Sequence, residues 1–287
     1  MFRPAIALLL LAACGCSRPH RLTVGSKNFT EQIVLGEILA QQIERRLGVP
    51  VDRKLDLGGT LLAQQALRGG EIDLYPEYTG TALTAVLKLP PSSDAAAVFE
   101  RVRAEYRQRW NLEWLDPFGF DNTFAMVVRG ADARAGSIQT LSDAARRKQA
   151  WRLGMGYEFL QRPDGLAGLQ ATYHVPLIGT PKTMDLGLLY PALEQNQIDM
   201  AAANATDGML SVLDVTVLRD DRHYFPPYQA AVVVRAQSLA SHPGLQAALE
   251  QLSGKLSDAA MRSLNYQVDG RHRPVAEVAR EWLAGIR

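Results

Sequence analysis

The chain has 287 residues, 47% hydrophobic and 21% charged, an ordinary globular composition and enough for one large or two medium domains. Thirty-one Lys and Arg stand against thirty Asp and Glu, a formal charge of +1 with no basic block, which argues against nucleic acid as a partner. Both cysteines, Cys14 and Cys16, lie near the start. A disulfide framework, a thiolate metal site and a cysteine nucleophile are therefore excluded from the rest of the chain.

Arg3 followed by the apolar run Ile6 to Ala13 reads as an export signal, too short to span a bilayer as a mature helix. Leu11-Ala12-Ala13-Cys14 resembles the lipobox of bacterial lipoproteins, which implies cleavage after Ala13 and acylation of the Cys14 thiol. Acylation at Cys16 fits less well, because Ala13 would stand where a branched apolar residue is usual. Residues 1–13 are thus expected as signal peptide and 14–21 as a tether. The body would sit in the periplasm or at the cell surface, anchored by lipid.

Strand and helix then alternate. Leu22-Thr23-Val24 is a short strand, and Asn28 with Glu31 reads as a capping box opening a helix through Leu35, Ile38, Leu39, Ile43 and Leu47. Residues 51–57 form the next strand, Gly58-Gly59-Thr60 turns into a short helix, and Ile72-Asp73-Leu74-Tyr75 is a third strand. This order predicts a parallel α/β sheet. A second unit follows, with strands at 123–128 and 153–156 and a helix at 186–194. Here the chain echoes itself: Ala66-Leu67 and Ile72-Asp73 recur at equal spacing as Ala192-Leu193 and Ile198-Asp199. Two lobes of similar build are expected, completed by a strand at 230–234 and helices at 245–256 and 275–286. One stretch asks for more than packing. Tyr75-Pro76-Glu77-Tyr78-Thr79-Gly80-Thr81 needs only Pro76 and Gly80 to turn, so its rings and hydroxyls serve either the core or a ligand.

Gly25-Ser26-Lys27-Asn28-Phe29-Thr30-Glu31-Gln32, the stretch Tyr75 to Thr81, Arg162-Pro163-Asp164-Gly165, Thr206-Asp207-Gly208 and Phe225-Pro226-Pro227-Tyr228 form an ordered set. It resembles the substrate-binding proteins of osmoprotectant ABC transporters, which take up glycine betaine, choline and related quaternary ammonium compounds. The resemblance implies a two-lobed periplasmic-binding-protein fold, type II-like, with the ligand cleft between lobes. Lobe 1 would comprise 22–122 plus 229–287 and lobe 2 residues 123–228. It also implies an aromatic cage for the ammonium from Tyr78, Phe124 and Tyr228, a hydroxyl from Thr81, and a carboxylate clamp from Lys27 and Arg162. Asn204 stands where the family carries an aromatic residue. The chemistry agrees: a quaternary ammonium has no N–H to donate, so ring faces select it at about 0.5–2 kcal/mol each. A carboxylate is held instead by a guanidinium fork, an ammonium or helix N-terminal amides.

The implied protein is a monomeric receptor, not an enzyme, that needs no cofactor or metal and delivers its solute to a permease driven by a cytoplasmic ATPase. Plainer roles compete residue by residue. Phe124 would also serve as core packing, Arg162 as a partner for Asp164 on a turn, Lys27 as a solvated loop cation, and Thr81 as a backbone-bonding residue. Alternatives for the whole chain are a receptor for a less methylated ammonium or amino-acid-like ligand, and a sensor lipoprotein without transport. A hydrolase has little to rest on, since the five histidines are scattered and neither Gly-x-Ser-x-Gly nor a phosphate loop is present.

Overall fold

The structure is a computed structural model and describes residues 21–286; the signal segment, Cys14 and Cys16 lie outside the described residues. The described residues form ten strands: β1 (Thr23–Gly25), β2 (Asp52–Lys54), β3 (Leu74–Tyr78), β4 (Leu112–Trp114), β5 (Phe124–Arg129), β6 (Leu153–Met155), β7 (Lys182–Thr183), β8 (Met200–Asn204), β9 (Val215–Leu218) and β10 (Ala230–Arg235). They build two five-stranded sheets, ordered β2-β1-β3-β10-β4 and β7-β6-β8-β5-β9.

The two sheets share one plan. β1 runs parallel to β2 and β3, and β6 runs parallel to β7 and β8. The fourth strand of each sheet, β10 or β5, is antiparallel to its neighbours, so the expectation of an all-parallel sheet is corrected to two mixed sheets. A parallel neighbour requires a crossover from the same side, whereas β10 and β5 arrive along the connections between lobes and enter from the opposite end. The sequence echo has a structural counterpart. The amides of Glu71 and Ile72 both donate to the carbonyl of Ala66, and those of Gln197 and Ile198 both donate to that of Ala192. Asp73 and Asp199 then use their carboxylates at the start of the equivalent strands β1 and β6, accepting from the amides of Thr23 in β1 and of Arg152 just before β6.

Between the sheets the chain passes twice, and the two passages lie side by side. Asp121 pairs with Gln229 in an antiparallel bridge, the Asn122 amide donates to the Tyr228 carbonyl at 3.1 Å, and the Tyr228 amide donates to the Asp121 carboxylate at 2.9 Å. Such a pair of short extended segments can bend without breaking either sheet.

Helix Thr30–Leu47 buries Val34, Leu35, Ile38, Leu39 and Ile43 along one stripe and ends at Gly48, in the left-handed region at φ 68°. Its start corrects the sequence reading. Phe29 is the N-cap, without a side-chain cap, and the Glu31 carboxylate is buried and bonded elsewhere. Against this helix pack Leu245–Glu250, Asp258–Asp269 and Val275–Gly285. The second of these, unexpected from the sequence, also touches the turn Gly208–Ser211 beyond β8, so it spans from one sheet's side to the other.

Candidate functional site

The carboxyl ends of β3 and β8 occupy equivalent positions in the two sheets. Tyr78 closes β3 and Asn204 closes β8. Ala230 of β10 pairs with Tyr78, and Phe124 of β5 pairs with Asn204. Opposed residues of an antiparallel pair share a face, so Asn204 lies on the side of β8 where the Phe124 ring stands. That ring meets Phe159, Phe225 and Tyr228 at centroid distances of 4.8, 5.8 and 5.6 Å.

After β3 the chain makes one turn, Thr79–Thr81, and then a π-helical turn, Ala82–Val86. Gly80 is needed there for close approach, because a Cβ would meet the Pro227 carbonyl at 2.7 Å and the Tyr228 ring at 2.8 Å. The π turn sets the Thr84 hydroxyl 2.8 Å from both the Gly80 carbonyl and the Asp164 carboxylate, two acceptors that share its single proton.

Arg162 is buried and lies where the rings converge. Its guanidinium carbon is 5.0 Å from the Phe124 centroid and 5.4 Å from that of Tyr228. The guanidinium forks onto Asp164 at 2.9 and 2.5 Å and donates to the Thr81 hydroxyl at 2.8 Å. Tyr228 also donates to Asp164, at 2.5 Å. Burial alone would raise the Asp164 pKa, but Arg162, Tyr228 and Thr84 hold it below the usual aspartate range.

Lys27 repeats the arrangement on the other side. Its ammonium lies 4.7 Å from the Tyr78 centroid and 2.6 Å from Glu77, with both side chains almost fully buried. The solvated-cation reading of Lys27 is thereby overturned. Glu77 also accepts from the Tyr78 amide and the Tyr75 hydroxyl, and the fully buried Tyr75 serves the core. The structure thus brings Thr81, Phe124, Arg162 and Tyr228 into one bonded and stacked cluster, and Tyr78 with Lys27, Phe29 and Glu31 into a second. The two are linked through Thr60 and Glu158, which lie between Lys27 and Arg162, and Asn204 is paired with Phe124 at the edge of the first.

Behind Tyr78 lies a residue the sequence reading took for a cap. Glu31 accepts from the Tyr78 hydroxyl at 2.7 Å, Asn122 Nδ2 at 2.8 Å, Asn265 Nδ2 at 3.0 Å and the Thr206 hydroxyl. Burial raises its pKa, and these four donors oppose the rise. No spacing rule would have found this hub, because its donors are 47, 91, 175 and 234 residues away.

Asp207, three residues after Asn204, accepts from the Asn204 amide at 3.1 Å and the Tyr190 hydroxyl at 2.9 Å. Burial pushes its pKa up to about 7, helped by the nearby charges of Glu31 and Asp269. Asp121 is likewise raised, to about 6. A carboxyl whose folded pKa is raised binds its proton more tightly in the folded state, so stability falls as pH climbs from about 4 to about 7. Carboxylates held low, such as Asp164 and Asp199, lose stability only at pH values near or below 4. The urea midpoint should therefore be higher at pH 5 than at pH 7.5. Asp207→Asn, which keeps an acceptor for both donors, should flatten that slope; an unchanged slope would remove Asp207 as its source.

A fold of two like lobes joined by a paired crossing, with ring faces and buried cations where they meet, defines a receptor that encloses a small solute. The comparisons with known proteins agree with this class. The family model for the substrate binding domain of ABC-type glycine betaine transport systems matches residues 20–285, and the chain belongs to that family. A glycine-betaine-binding protein of Pseudomonas aeruginosa is 35% identical, the match covering 95% of this chain and 90% of that one. An ergothioneine transport permease/ergothioneine binding protein of Helicobacter pylori is 35% identical across 91% of this chain, which spans only 47% of that relative's length. A crystal structure described as a glycine betaine/carnitine/choline ABC transporter superposes with a TM-score of 0.78 at 31% identity, covering 92% of this chain and 98% of that one. Among the described residues no helix is long and apolar enough to cross a membrane.

Proposed function

We propose that this protein is the extracytoplasmic solute receptor of an ABC importer. It binds a quaternary ammonium osmoprotectant such as glycine betaine or choline between its lobes, without turnover. Lobe 1 is 22–122 with 229–287 and lobe 2 is 123–228. Cys14 carries the lipid that tethers the monomer beside a permease with a cytoplasmic ATPase. One observation carries the ligand class: the rings of Phe124 and Tyr228 together face a guanidinium, and the ring of Tyr78 faces an ammonium. Faces so disposed attract a cation that has no N–H to bond. The ammonium of the ligand takes these faces. Thr81 bonds its polar end, and Lys27 and Arg162 face its carboxylate where it has one.

Asn204 favours a second reading, a less methylated ammonium. Asn204 lies on the Phe124 side of β8, and an asparagine carbonyl can accept from an N–H that a fully methylated head lacks. Calorimetric titration with glycine betaine, choline, carnitine and ordinary amino acids tests both. Tight binding of an amino acid with none of the methylated compounds would replace the first reading with the second. Asn204→Tyr should supply one more ring face and raise glycine betaine affinity by about 0.5–2 kcal/mol, or several-fold to thirtyfold. Unchanged or weaker binding in a folded variant would place position 204 outside the cage.

A further inference from the structure

Glu158 stands on the short helix Tyr157–Gln161 beyond β6 and reaches across to the other sheet's side. Its Oε1 accepts from the Thr60 amide at 2.6 Å, and its Oε2 lies 3.7 Å from Arg162. Thr60 opens the ten-residue helix Thr60–Gly69, whose N-cap is Gly59 with no side-chain cap of its own. A Cβ on Gly59 would come within 2.9 Å of Glu158 Oε1, so the glycine lets the foreign carboxylate in. The Thr60 hydroxyl lies 3.4 Å from the Lys27 ammonium. Burial would raise the Glu158 pKa, yet Lys27, Arg162 and Thr60 together hold it below the ordinary glutamate value.

An ammonium, a guanidinium and a helix N-terminal amide are the groups a ligand carboxylate would seek. Here a side chain of the protein holds the amide and lies beside both cations. Both cations are moreover matched already, Lys27 by Glu77 and Arg162 by Asp164. With Glu158 the corner holds two cations against three carboxylates and is net negative. On this geometry we infer that Glu158 is a specificity-determining residue: bridging the lobes, it fills the anion-favouring corner and turns the receptor toward cations that carry no carboxylate. The inference rests on the receptor reading above and adds to it which ammonium compounds are preferred.

The test uses the folded mature protein and two probes, choline and glycine betaine. Glu158→Gln keeps an acceptor for the Thr60 amide and removes the charge. It should shift the ratio of choline to glycine betaine affinity toward glycine betaine by tenfold or more. A ratio that stays put, or moves toward choline, overturns the inference. Glu158→Ala supplies a readout that needs no ligand: amide hydrogen exchange at Thr60 should quicken at least tenfold, since the amide loses its acceptor. Unchanged exchange there overturns the bridge and the inference with it. If the wild type binds neither probe while Thr60 exchange quickens in Glu158→Ala, the receptor reading for these ligands fails and the filled corner stands.

Discussion

Glu31→Ala is expected to lower the stability of the ligand-free protein by on the order of 4 kcal/mol. Four donors lose their acceptor at once: the Tyr78 and Thr206 hydroxyls and the amides of Asn122 and Asn265. A buried donor left without a partner costs about 1–3 kcal/mol. The variant also removes a carboxylate whose own burial is costly, so the net loss falls below the sum of four. Glu31→Gln should lose less, since its carbonyl still serves two donors. Urea unfolding at pH 7 reads both. A loss in Glu31→Ala below about 1 kcal/mol would mean that the four donors find other partners.

The same residue bears on closure. Its donors come from β3, from the connection between sheets, from the turn after β8 and from helix Asp258–Asp269. Glu31 therefore ties the ring of Tyr78 to the crossing about which the lobes would move. Ligand binding should weaken in Glu31→Ala beyond what unfolding explains, because the freed Tyr78 ring must be ordered again.

What the sequence could and could not reveal divides along this line. The repeated Ala-Leu and Ile-Asp spacing disclosed two like units, because a helix end, a turn and a buried strand are local and both lobes close them with the same backbone bonds. The strands at β5 and β10 were legible as apolar runs. Their direction was not, since it depends on how the chain enters each sheet. Helix Asp258–Asp269 went unseen although Ser257 caps it through the Ala260 amide. Its buried face is narrow, with Met261, Leu264 and Asn265 the buried residues. Asn28 and Glu31 have the spacing of a capping box, and the pattern misled because a buried hub claimed Glu31 first. Glu158 gave no signal at all. Its meaning comes from Thr60 and Arg162, one 98 residues away and the other on the turn next to it.

Lys27→Met should cost about 3–5 kcal/mol, more than a solvated lysine could, because it leaves the fully buried Glu77 carboxylate without its cation. The Tyr75 hydroxyl and the Tyr78 amide still donate to Glu77, but neither carries charge. Adding Glu77→Gln should therefore recover at least half of the loss, as removing both members of a buried pair is far milder than removing one. If the double variant is no more stable than Lys27→Met alone, the pair is not what Lys27 contributes to the fold. The double variant also separates fold from ligand. It keeps the Tyr78 ring and its bond to Glu31, so choline should still bind within a few-fold of wild type. If Lys27 faces the ligand carboxylate as proposed, glycine betaine should weaken about ten- to hundredfold, the worth of one charge-assisted bond. Equal losses for the two compounds would assign Lys27 to the architecture beneath Tyr78 alone.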